Sequence, residues 1–63
     1  MLDKVFEQIR VYASFTVEKE FAKSELRKII EWAWLSLDML IINRDEHNAL
    51  YNCAIEAIVN LDN

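Results

Sequence analysis

Neither glycine nor proline occurs anywhere in the 63 residues of this chain. Tight type I′ and II′ hairpins depend on residues that take positive φ at little cost, and phosphate loops and nucleophile elbows depend on glycine for close backbone approach. Nucleotide-binding and acyl-transfer folds of the usual kind are therefore excluded. What remains is an all-α interaction module, read here as a single small three-helix domain over residues 1–63. At this length a cofactor-sized pocket has no room, so neither an enzyme nor a cofactor is expected. The small core offsets the entropy of ordering only narrowly, so self-association into a homo-oligomer or binding to a larger protein is expected.

Hydrophobic periodicity predicts the helices. Leu2, Val5, Phe6, Ile9, Tyr12, Ala13, Thr16 and Val17 recur at three- and four-residue steps, which makes helix 1. Two sites compete for its end: Ser14 and Thr16 are potential N-caps for the next helix, and so is Ser24, followed by Glu25 in a favourable first-turn position. The preferred reading runs helix 1 over about 2–22, with the turn at Ala22 to Ser24. Helix 2 then spans about 25–42. Its main apolar arc holds Leu26, Ile29, Ile30, Ala33, Trp34, Leu37, Leu40 and Ile41 within roughly 140°. Trp32, Leu35, Met39 and Ile42 form a second arc nearly opposite, with Arg27, Glu31 and Asp38 in a polar seam between. A helix apolar on two faces must be covered on both, so the second arc predicts a partner-binding face. Between helices 2 and 3, Asn43 suits a left-handed position, Asp45 an N-cap, and Asn43 with Glu46 has the spacing of a capping box. Helix 3 covers about 46–61, with Ala54 and Ala57 permitting close approach of helix 2.

Charge narrows the partners. The net charge of −4 is uneven: six basic residues face five acidic ones over residues 1–28, whereas residues 29–63 carry six acids and only Arg44 as a base. DNA binding requires a concentrated basic face, so no direct DNA contact is expected. Lys19, Lys23 and Arg27 form one short basic stripe, but Glu20, Glu25 and Glu31 lie three residues from Lys23 or Lys28 and can pair with them. The apolar run from Ile29 to Ile42 contains Glu31, Ser36 and Asp38 and falls short of the roughly 20 residues that a membrane span needs. With one cysteine and no basic-then-apolar leader, a cytoplasmic location is expected.

The sequence offers little for catalysis or metal binding. Cys53 lies beside Leu50, Ala54 and Ala57 and reads as a small buried hydrophobe. His47, in the first turn of helix 3 with no second His, reads as a capping or surface imidazole, and no metal site is expected. Glu31 and Asp38 are two turns apart, about 10 Å, too far to work as an acid–base pair. Trp34 reads as core. Trp32 divides between a core contact from helix 1 and an interface position beside Met39.

From Val17 to Cys53 the chain resembles the ANR family, the AraC negative regulators. The resemblance rests on an early Glu (Glu20), a short turn, an aliphatic pair followed by Trp (Ile29 and Ile30, then Trp32), a hydrophobic second half of that helix, and a terminal helix closing on Cys53. Ala22 to Ser24 stand where such proteins commonly have a turn glycine, and Asn48 to Asn52 contain no counterpart of the Arg that precedes the final Cys. The resemblance implies a small cytoplasmic regulator that binds an AraC-type virulence activator and blocks its dimerisation, with an H-NS-type nucleoid protein as a further partner. The residues expected to bind the partner are Trp32, Leu35, Met39 and Ile42. Two other classes fit the composition: a homodimeric helical adaptor or RNA-binding hairpin using Lys19, Lys23 and Arg27, and a phage or plasmid inhibitor of a basic enzyme using the acidic half.

Overall fold

The computed structural model describes residues 2–14 and 17–62. Among these residues the fold is all-α, with three helices: α1 (Leu2–Ala13), α2 (Lys19–Asp38) and α3 (Arg44–Asp62). Among the described residues no helix is long and apolar enough to cross a membrane.

The first helix ends at Ala13 and the second begins at Lys19, so the break does not fall at Ala22 to Ser24, which lie inside α2. Ser14 closes α1: its N–H and its hydroxyl both donate to the Val11 carbonyl, at 3.2 and 2.6 Å. The next helix is capped by Glu18, whose carboxylate accepts from the backbone N–H groups of Glu20 (3.1 Å) and Phe21 (3.0 Å). Glutamate is outside the usual set of capping residues, but its charge suits a helix N-terminus and its reach satisfies two orphan donors. Ser24 is an exposed residue inside α2, and Thr16 lies outside the described residues. The physical reason for the earlier break is the placement of Glu20. A helix running unbroken to residue 22 would carry Glu20 on its buried face, whereas restarting at Lys19 exposes Glu20 and buries Ala22 completely.

The second reversal also comes earlier than residue 42. After Asp38 the Leu40 N–H donates to the Leu37 carbonyl (3.1 Å) and the Ile41 N–H to the Ser36 carbonyl (2.8 Å). This paired bonding is a Schellman motif, and it places Leu40 at φ 62° in the left-handed position where glycine is usual. Asn43 is therefore not the left-handed residue. It is the N-cap of α3, and Asp45 is a first-turn acid instead. The expected capping box is present: Asn43 Oδ1 accepts from the Glu46 N–H (2.8 Å) while Glu46 Oε1 accepts from the Asn43 N–H (2.9 Å).

Both connections are short, so each helix runs antiparallel to the one before it. Trp34, late in α2, meets His47 and Tyr51, early in α3, while Lys23 reaches Asp62 from the other end of the same pair. The core is a single cluster of Ile9, Ala22, Leu26, Ala33, Ile42, Leu50, Ala54, Ala57 and Leu61. Four of these are alanines, which lets the helix backbones approach closely. Ile9, Leu26 and Leu50 are buried almost completely, each contributing on the order of 2 kcal/mol.

At 20 and 19 residues, α2 and α3 match in length, but α1 has only 12. At 1.5 Å per residue, α1 is about 12 Å shorter than α2. Packed back from the first turn, α1 leaves the last turns of α2 without a neighbour on that side. This mismatch positions the surface described below.

Three variants check the fold. Leu40→Gly is expected to stabilise the protein by about 0.5–1 kcal/mol, the relief of a left-handed L-residue less the added freedom of the unfolded chain, and to raise the melting midpoint by several degrees. Asn43→Ala is expected to cost about 1 kcal/mol through loss of the cap. The third concerns Asp62, whose carboxyl is held below its ordinary pKa by the hydrogen bond from Lys23, with further attraction from Lys23, Lys19 and Arg27 working against partial desolvation. That contribution is complete above the unfolded carboxyl pKa of about 3.9 and is lost as pH falls through the lowered folded value. Thermal melts between pH 5 and pH 2 (roughly the carboxylate range) should therefore fall less steeply for Asp62→Asn than for the wild type.

Candidate interaction surface

Sequence periodicity places Trp32, Leu35 and Met39 on one stripe of α2, at steps of three and four residues. The structure keeps these three together on the outer surface. Trp32 is 37% exposed, Leu35 57% and Met39 62%. Trp32 stands where α1 still reaches α2, and with Val5, Tyr12 and Ile29 it lines an open groove of about 280 Å³ between the two helices. Lys4 and Lys28 also line it, and Lys28 pairs with Glu25 at 3.7 Å. Trp32 thus lies against α1 and remains partly exposed to solvent.

Ile42 does not belong to this surface. It is 3% exposed and sits in the core. The helical wheel placed it beside Met39 because it assumed that the helix continued, but α2 ends at Asp38 and the turn rotates Ile42 inward. The same turn moves Leu40 and Ile41 the other way. Read as part of the main apolar arc, they are instead exposed, Leu40 to 87%. Leu35, Met39, Leu40 and Ile41 thus form an apolar knuckle at the α2–α3 end, which the wheel alone did not assemble. The available signal was the capping box: once Asn43 and Glu46 start α3, α2 has to terminate several residues before Asn43.

A third feature lies on the α2–α3 seam. Trp34, expected in the core, is half-exposed and covers His47, with ring centroids 4.2 Å apart and planes tilted by 55°. Tyr51 completes the group, 6.2 Å edge-on to Trp34 and 6.0 Å stacked on His47. His47 is buried, not on the surface or capping a helix. Its Nδ1 is 3.5 Å from Asn48 Oδ1, and its Nε2 is buried with no hydrogen-bond partner among the described residues. Cys53 is partly buried against the core. Among the described residues no group of three or more His, Cys, Asp or Glu side chains converges to hold a metal ion.

Charge follows the division seen in the sequence. Lys23 bonds to Asp62 and lies 4.0 Å from Glu20, so the centre of the Lys19–Lys23–Arg27 stripe is partly neutralised by acids. Next to the knuckle in sequence, Asp38 and Asp45 are exposed, as is Glu31 further up α2, and Arg44 is the one base from residue 29 onward. The surface is therefore apolar, with acids next to it at the α2–α3 end and with Lys4 and Lys28 beside Trp32 at the other.

Compared with known proteins, the chain matches no family model, no curated protein and no solved structure.

The buried imidazole gives a direct test of this geometry. Replacing His47 with Phe keeps an aromatic ring under Trp34 and removes an unsatisfied nitrogen whose desolvation costs about 1–3 kcal/mol. His47→Phe is expected to unfold at higher denaturant concentration than the wild type, as measured by urea titration. A lower midpoint would mean that Nε2 has a polar partner.

Proposed function

We propose that this chain is a small regulatory interaction protein that binds an AraC-type transcriptional activator in the cytoplasm and inhibits it by blocking dimerisation. The observation that carries the interaction role is the exposure of Trp32, Leu35 and Met39, which follow one another at three- and four-residue steps along α2 and its C-cap. Monomeric domains seldom expose a contiguous apolar patch of more than a few hundred Å² without using it. Side chains at helical spacing suit docking against a groove or helix of another protein. The choice of activator comes from the resemblance of Val17 to Cys53 to the AraC negative regulators, which also suggests a nucleoid-structuring protein of the H-NS type as a second partner. The acids at the α2–α3 end favour a basic protein surface over nucleic acid, so inhibition acts on the activator and not on its DNA site.

The test is titration of the chain against the dimerisation region of an AraC-type virulence activator, with the activator's oligomeric state followed by sedimentation. Binding should shift the activator from dimer to a mixed complex. Trp32→Ala should cost about 2 kcal/mol of binding, close to thirtyfold in Kd, as expected for an aromatic anchor. Affinity that stays unchanged in Trp32→Ala and Met39→Ala, with helicity intact, would remove this ridge from the contact.

A further inference from the structure

We propose that the α2–α3 reversal is itself a docking knob, centred on Leu40 and built to be covered by an amphipathic helix that carries basic side chains beside its apolar ridge. This deepens the reading of the chain as an interaction protein and rests on it.

Leu40 is in the wrong conformation for its residue type and gains nothing from its own fold. Its backbone is at φ 62°, and its side chain is 87% exposed. The turn is held by main-chain bonds, from the Leu40 and Ile41 N–H groups to the Leu37 and Ser36 carbonyls, which a glycine or asparagine would form at lower conformational cost. A large apolar side chain held in strained backbone and left in water breaks two local rules at once, a combination found where a residue serves something outside the fold. Met39 and Ile41 on either side are also exposed, and Leu35 lies one helical turn before Met39, so the knob has an apolar base.

Charge identifies the occupant. Asp38 and Asp45, both exposed, stand two residues before and five residues after Leu40, and Arg44 is the one base in the same stretch. A second copy of this chain would bring the same acids face to face, and like charges at an interface are costly. An apolar ridge flanked by Lys or Arg meets both the apolar centre and these acids.

The experiment uses the full chain and two synthetic helical peptides of about 18 residues, one of Leu and Lys in amphipathic order and the other with Glu in place of Lys. Binding is measured by calorimetry at low and high salt, and melting by circular dichroism. The expected result is binding of the Leu/Lys peptide, weakened by salt, with no binding of the Leu/Glu peptide. Leu40→Gly and Leu40→Asn should each melt at or above the wild-type temperature yet bind the Leu/Lys peptide about tenfold more weakly. Opposite movement of stability and affinity separates a docking role from a structural one. Three results would overturn the proposal: Leu/Lys binding absent or within twofold of wild type in both Leu40 variants, equal binding of the two peptides, or a dimer of the free chain that Leu40→Gly dissolves. If the activator fails to bind while the peptide result holds, the choice of activator falls and the knob stands. If the activator binds but is indifferent to both Leu40 variants, the knob falls and the choice of activator stands.

Discussion

The unequal pairing of helices governs this molecule. The α2 and α3 helices are matched in length and pack antiparallel through Ala33, Ala54 and Ala57, with Leu26, Leu50 and Leu61 filling the space that the alanines leave. Close backbone approach between two long helices gives this small chain its firmest contact. The shorter α1 then covers only part of the remaining face, adding Ile9 to the core and closing over Ile29 and Trp32. Whatever α1 does not reach stays apolar and in water.

The two reversals show how a chain without glycine manages its turns. In the first, Ser14 and Glu18 use side chains to satisfy the backbone groups at the end of α1 and the start of α2. In the second, the capping box of Asn43 and Glu46 fixes the start of α3, and the backbone before it must reverse within a few residues. The left-handed step then falls on Leu40 because no more permissive residue stands at that point. The strain at the knuckle and the exposure of its apolar side chains thus have one source, the short distance between the last turn of α2 and the cap of α3.

Part of the candidate surface is legible in the sequence, and the residues misplaced at the α2–α3 reversal share a cause. Trp32 and Leu35 lie inside α2 under either set of boundaries and Met39 is its C-cap, so periodicity is enough to place the three on one outward stripe. Ile42, Leu40 and Ile41 were misplaced together because a helical wheel carries its 100° step past the end of the helix it describes. The polarity of His47 suggests a capping or surface residue, yet Trp34 and Tyr51 provide an aromatic slot that accepts the ring while leaving Nε2 without a partner among the described residues.

By itself the sequence determined an all-helical chain, the capping box before α3, the alanine-lined approach of its last two helices and the acidic character of its second half. These follow from local periodicity, side-chain reach and charge, which need no knowledge of distant neighbours. Only the tertiary structure decided where α1 stops, since that depends on whether Glu20 or Ala22 enters the shared core. It also decided which of Leu40, Ile41 and Ile42 faces inward, because the direction of a side chain within a reversal is set by the packing of the two helices that the reversal joins.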